Sequence, residues 1–211
     1  MAWIAAYPVG YYLGRAAVVR LRRGSWTRLA RREASRALPW TVGFVVLAVP
    51  LLALRPWLAL VAAGVGLLWA FSLLITLRRS ERDLANDGVL VVLAVLAVPL
   101  MWAVSSDFQG STLTSDLWVV TAATGVFLFG SVLHVRSLLR RADDAPFRRL
   151  SVVYQIAAAI VFAFFSPWWL LGFVPAAVRA VLMRPGLRPA AIGAVEMVVS
   201  ALFVAAAILA V

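Results

Sequence analysis

The sequence predicts an all-α, polytopic transmembrane helical bundle of about eight helices, forming a single transmembrane domain over residues 1–211. Three observations carry this prediction. Hydrophobic residues make up 64% of the chain, with a mean hydropathy of +0.96, whereas a soluble globular domain has roughly 45–50% apolar residues. Apolar stretches recur roughly every 20 to 30 residues, close to the ~20 residues of one helical membrane crossing. Between them, arginine-bearing connections alternate with connections that carry almost none.

The segments follow in order. The first, 2 to 20, contains Pro8; no basic stretch precedes it and Arg15 interrupts it, so it reads as a membrane helix rather than a secretory signal. The second and third, 37 to 54 and 56 to 77, are divided by the turn at Arg55-Pro56. The fourth, 88 to 104, is short and contains Pro99, and Asn86 and Asp87 are placed to cap it, since both side chains accept from free N–H groups at a helix start. The fifth runs from 116 to 139. The sixth and seventh, 151 to 166 and 168 to 183, are split at Ser166-Pro167, and the eighth covers 190 to 211. Prolines inside membrane helices are tolerated because neighbouring groups satisfy the freed carbonyls.

Composition excludes several classes of chemistry. There is no cysteine, hence no disulfide and no thiolate metal site, and the single histidine, His134, rules out multi-histidine haem or copper sites. No Gly-rich phosphate loop or Ser/His/Asp arrangement appears. All 20 basic residues are arginine, in an Ala/Val/Leu-rich background typical of a GC-rich bacterial genome. The net charge of +11 points to orientation and anionic membrane lipids rather than to nucleic acid. The basic connections are 20–36, 78–88, the stretch VLHVRSLLRRADDAPFRRLSVVYQ at 132–155, and 183–189; those at 55–56, 105–116 and 166–167 hold only Arg55. The positive-inside rule makes the basic set cytoplasmic in the bacterial inner membrane, with both ends of the sequence outside. Tryptophans such as Trp168 and Trp169 then fall at the outer interface.

Acidic residues are few enough to weigh singly. Glu33, Glu81, Asp83, Asp87, Asp143 and Asp144 lie in the basic connections and Asp107 and Asp116 outside; Glu196 alone lies within a membrane segment. It sits about 9 Å into the last helix at 1.5 Å per residue, and Arg179 lies at a similar depth in the preceding one. Antiparallel packing brings the two together, either as the lining of a cytoplasm-facing cavity or as a staple between helices. His134, Arg136 and Arg140 gather near the inner end of the fifth segment, with Gln155 opening the sixth. They form either a basic mouth that grips phosphate or carboxylate through forked guanidinium contacts, or a set of arginines snorkelling into the lipid heads. Arg15 has the same two readings. The candidate ligand-binding set is therefore Arg15, His134, Arg136, Arg140, Gln155, Arg179 and Glu196, with no metal ligand, no assigned catalytic residue and no assigned cofactor.

The blocks WIAAYPVGYYLGR, RDLANDGV, GSVLHVRSLLRRADDAPFRRLSVVYQ and LRPAAIGAVEMVVSALF together resemble the YwiC-like family of bacterial membrane proteins over nearly the whole chain. Family members usually begin with a further helix carrying Gln-His-Gly-Ala-Trp, which this sequence lacks. Restoring such a helix gives nine, an arrangement similar to the UbiA superfamily of intramembrane prenyltransferases. That resemblance implies aspartate-rich motifs holding magnesium and an isoprenyl diphosphate after the second and sixth helices. The corresponding connections here offer Glu33 alone and the adjacent pair Asp143 and Asp144, which point about 100° apart on a helix, so no metal ligands carry over. The expected function is a cytoplasm-facing polar pocket for a lipid, quinone-like or isoprenoid ligand. A divergent UbiA-like prenyltransferase, a small transporter and a structural subunit of a membrane complex are the alternatives.

Overall fold

The computed structural model describes residues 2–78, 84–106 and 115–210; Glu81, Asp83 and Asp107 lie outside the described residues. Nine α-helices appear among them: α1 (Ala2–Arg23), α2 (Arg28–Leu54), α3 (Leu58–Arg78), α4 (Leu84–Val95), α5 (Ala97–Ser106), α6 (Ser115–Leu139), α7 (Ala145–Ala163), α8 (Leu170–Leu182) and α9 (Pro189–Ala210), with a 3-10 turn at Pro167–Trp169 before α8. No strand occurs among the described residues. α4 and α5 are one apolar run broken at Leu96. Pro99 explains the break: it has no N–H for the carbonyl of Val95, four residues back, and α4 ends at that residue. Counting this run once gives eight helical segments, six of them long and apolar enough to cross a membrane.

The chain divides into two compact units, residues 1–93 and 94–211. In the first, α1 and α2 pack together through a turn of only four residues. Gly24 adopts φ +67° there, a conformation that costs glycine little, and Thr27 caps α2 by accepting from the N–H of Ala30 at 3.2 Å. Most of the expected connection at 20–36 is therefore helical. Its arginines mislead because they lie on an exposed face, while Ala30, Glu33 and Ala37 recur every three or four residues and are buried. Glu33 bonds Arg36 one turn on. Arg22 donates to the Thr76 carbonyl of α3 at 2.9 Å, and Ser72 of α3 donates to Asn86. Asn86 is thus a buried partner of α3 within the first turn of α4 rather than a cap.

The second unit is built around aromatic rings. Phe127 stacks on Phe203 at 4.1 Å and Phe162 on Phe173 at 4.9 Å. Trp169 is 1% exposed against Phe162 and Phe203, so its ring faces the core; Trp168 is exposed. The 3-10 turn accounts for the difference, since it rotates one of two consecutive rings into the core. Small residues, Ala123, Ala158, Ala176, Ala206 and Gly172 among them, line the contacts, and in a bilayer such residues let backbones approach closely enough for dispersion to hold helices together.

α7 begins at Ala145, not 151, because Asp144 accepts from the Phe147 N–H at 2.9 Å and also pairs with Arg141 at 3.0 Å. The Phe147 N–H bond, with Arg141 assisting, holds the Asp144 carboxyl below its usual range. A carboxyl lowered by folding contributes stability above its unfolded value, and that contribution is lost as pH falls through the folded one. Thermal melts are therefore expected to show an extra acid-side loss in wild type, on going below about pH 4, that Asp144→Asn lacks, since Asn still caps but does not titrate. Parallel pH profiles for the two proteins would remove Asp144 as the source.

Candidate functional site

The polar residues of the second unit collect by helical spacing. On α6, Phe127, Ser131 and His134 lie at i, i+4 and i+7, with Gly130 and Ser137 flanking them, so all five project to one side. On α7, Ser151 and Gln155 lie one turn apart. α8 supplies Arg179 and α9 supplies Glu196. All but Ser131 and Glu196, which are partly buried, are buried next to the apolar core of this unit.

Arg179 is the hub. It is 4% exposed, and its Nη1 pairs with Oε2 of Glu196, bridging α8 to α9. Its Nη2 donates to Ser131 Oγ at 2.8 Å, and its guanidinium carbon lies 5.8 Å from the Phe127 ring centroid. The same cation is therefore held by a carboxylate, a hydroxyl and an aromatic face, as a desolvated guanidinium requires.

Several buried atoms in this cluster lack a partner. They are His134 Nε2, Ser151 Oγ, both amide ends of Gln155, Arg179 Nε and Glu196 Oε1. Gln155 lies over Gly130, where a Cβ would stand 2.7 Å from Gln155 Nε2; the glycine is what admits the amide. Buried polar groups are almost always bonded, and each exception costs about 1–3 kcal/mol. The set mixes donors with acceptors, so it suits a neutral or anionic polar head group. Among the described residues, no three His, Cys, Asp or Glu side chains converge as a metal site would need; Asp144 is engaged as a helix cap and Asp143 is exposed.

Of the residues singled out in the sequence, His134, Gln155, Arg179 and Glu196 share the interior of the second unit. Arg136 is half-buried in the last turn of α6, and Arg140 is exposed just past it. The Arg136 carbonyl accepts from the N–H groups of both Arg140 and Arg141. Arg15 belongs to the first unit, where it is exposed and donates to the Tyr11 hydroxyl at 2.9 Å. Gln155 lies in the interior of α7 rather than at its opening, a consequence of the earlier start of that helix. Ser131, Ser151, Phe127 and Gly130 escape a reading that follows charge; their spacing on α6 and α7 was the available signal.

Residues 1–102 match the profile of the family described as YwiC-like protein. The N-terminal 102 residues thus resemble the YwiC-like family. The matched residues cover α1 to α4 and part of α5, whereas the buried polar cluster begins at Phe127. An uncharacterised protein of Haemophilus influenzae (strain Rd) is 30% identical over 137 residues, which is 64% of this chain and 56% of that protein. The chain thus spans little more than half the length of that relative. No solved structure matches it.

Proposed function

We propose that this YwiC-like chain is a multi-pass protein of the bacterial inner membrane, its basic connections cytoplasmic, that binds the polar head of a lipid, quinone-like or isoprenoid ligand. The head group bonds His134, Ser151, Gln155, Arg179 and Glu196, and the exposed arginines, Arg15 and Arg140, contact anionic lipid heads. One observation carries this reading: a cluster of buried donors and acceptors without partners inside an apolar helical unit. A carbonyl or hydroxyl of the ligand would accept from Gln155 Nε2, and a ligand hydroxyl would donate to Gln155 Oε1 or Glu196 Oε1. The positive end of Arg179 favours a partial or full negative charge on the guest, and its apolar remainder stays in the hydrocarbon, where no desolvation cost arises.

The test is native mass spectrometry of the gently purified protein with identification of what it retains. Gly130→Ala is the informative variant. Its Cβ displaces only the free end of a flexible amide, and alanine is favoured over glycine in a helix by about 1 kcal/mol, so stability is expected to change by less than about 1 kcal/mol. Retention of the ligand is expected to fall by roughly tenfold, the equivalent of one lost hydrogen bond of about 1.4 kcal/mol. Heterogeneous bulk lipid in both proteins, with no single retained species, would end this reading.

A further inference from the structure

A second feature lies on the other side of α7 and α8, away from the buried cluster, and goes beyond the ligand just proposed. We propose that this face holds one anionic phospholipid, its phosphate on Arg148, Arg149 and Arg184 and one acyl chain in the apolar trough between the helices. The start of α7 and the end of α8 form an open groove of about 680 Å³ lined by these three arginines, with Val152, Val181 and Met183 among its apolar walls. Arg148 and Arg149 stand in the first turns of α7, and Arg184 lies in the extended segment just past Leu182, the last residue of α8.

Charge decides what fits there. Ion pairs such as Arg36 with Glu33, Arg141 with Asp144 and Arg179 with Glu196 occupy arginines elsewhere, and no such pair is seen for an arginine of this groove among the described residues. Asp144, the nearest acid in the sequence, already holds Arg141 and the Phe147 N–H. Two of the cations also stand near the positive end of the α7 dipole, where the capping Asp144 carboxylate is already shared between Arg141 and the Phe147 N–H. Cations there gain from a further anion. A phosphate supplies it, and guanidinium groups bind phosphate oxygens through forked, charge-assisted bonds.

Shape decides between a free anion and a lipid. A second groove of about 430 Å³, wholly apolar in its lining residues, continues along the same two helices. Val152, Ile156 and Ile160 follow one another at i, i+4 and i+8 on α7, and Val174, Val178 and Val181 at i, i+4 and i+7 on α8, so the two grooves line up as one trough. From Val152 to Phe164 the trough runs roughly 18 Å at 1.5 Å per residue, against about 15 Å for one leaflet of hydrocarbon. A head with a negative charge and a tail one leaflet long is a phospholipid.

The full chain is purified in detergent and offered phosphatidylglycerol and phosphatidylcholine in equal amounts, and retained lipid is counted by native mass spectrometry. Wild type is expected to keep one phosphatidylglycerol with at least a tenfold preference. Arg148→Gln/Arg149→Gln/Arg184→Gln is expected to abolish the preference, and Arg184→Gln alone, which lies outside both helices, to reduce it several-fold. Arg32→Gln/Arg188→Gln removes the same kind of charge elsewhere and is expected to leave it intact. No preference in wild type, a preference that survives the triple variant, or equal loss in the Arg32/Arg188 control would overturn the proposal. So would complete displacement of the phosphatidylglycerol by inorganic phosphate, which would make this a site for the free anion.

Discussion

Glu196→Ala is expected to destabilise the protein by about 3–5 kcal/mol, the cost of leaving a buried charge without its partner. Arg179 has a side chain only 3% exposed, against 18% for Glu196, so water reaches the carboxylate more readily than the guanidinium. The cation is therefore the group that suffers from loss of the pair. Ser131 and the Phe127 ring remain as partners, but neither carries a full negative charge. Removing both charges with apolar residues of similar volume, as in Arg179→Met/Glu196→Met, is expected to be far milder than the single change and close to neutral, because the desolvation penalty goes with the attraction. Unfolding by denaturant in detergent for wild type, Arg179→Met, Glu196→Met and the double variant gives the coupling directly. Additive effects would mean that the two side chains do not meet.

The second large effect is predicted at Gly172. An added Cβ there would stand 2.9 Å from the main-chain Cα of Phe203 and 3.0 Å from its ring. Unlike Gly130, whose neighbour is the end of a flexible amide, Gly172 faces backbone, and α8 and α9 must separate to admit even a methyl group. Separation loosens the Phe127–Phe203 stack at 4.1 Å and the Phe173–Phe203 contact at 5.6 Å. Overpacking of this kind costs about 1–3 kcal/mol, so Gly172→Ala is expected to fall in that range and Gly172→Val above it. Phe203→Ala should fail to rescue Gly172→Ala, since the Cα remains in place. Rescue would show that the ring, not the backbone, sets the limit.

The outcomes at particular residues show where sequence reasoning works in this chain. Glu196 and Arg179 stand out because a charge inside an apolar segment is expensive and must find a partner, and the two lie at matching depths on successive helices. The helix starts at Arg28 and Ala145 are harder to see. Arginine runs look like connections, but an amphipathic helix carries the same arginines on one face, and the deciding features are single caps, Thr27 and Asp144. Trp169 is buried although its type and position suit an interface, because a 3-10 turn sets its direction. Ser131 and Phe127 are ordinary residues for a membrane helix and gain their roles only from how α6 is rotated toward α8.

The sequence by itself determined the class of this protein: apolar runs of bilayer length dictate an all-helical membrane protein, and their number follows from their spacing, since backbone polar groups in hydrocarbon must be satisfied within each segment. It also determined which charges had to be partnered. Only the tertiary structure decided with what, because a helix presents one face in three or four residues to each neighbour, and its rotation is set by packing around Gly130, Gly172 and the stacked rings rather than by composition. Hence the ion pair was legible in one dimension, while the hydroxyl and ring that complete its shell, and the arginine trough on the opposite face of α7 and α8, exist only once the helices are packed.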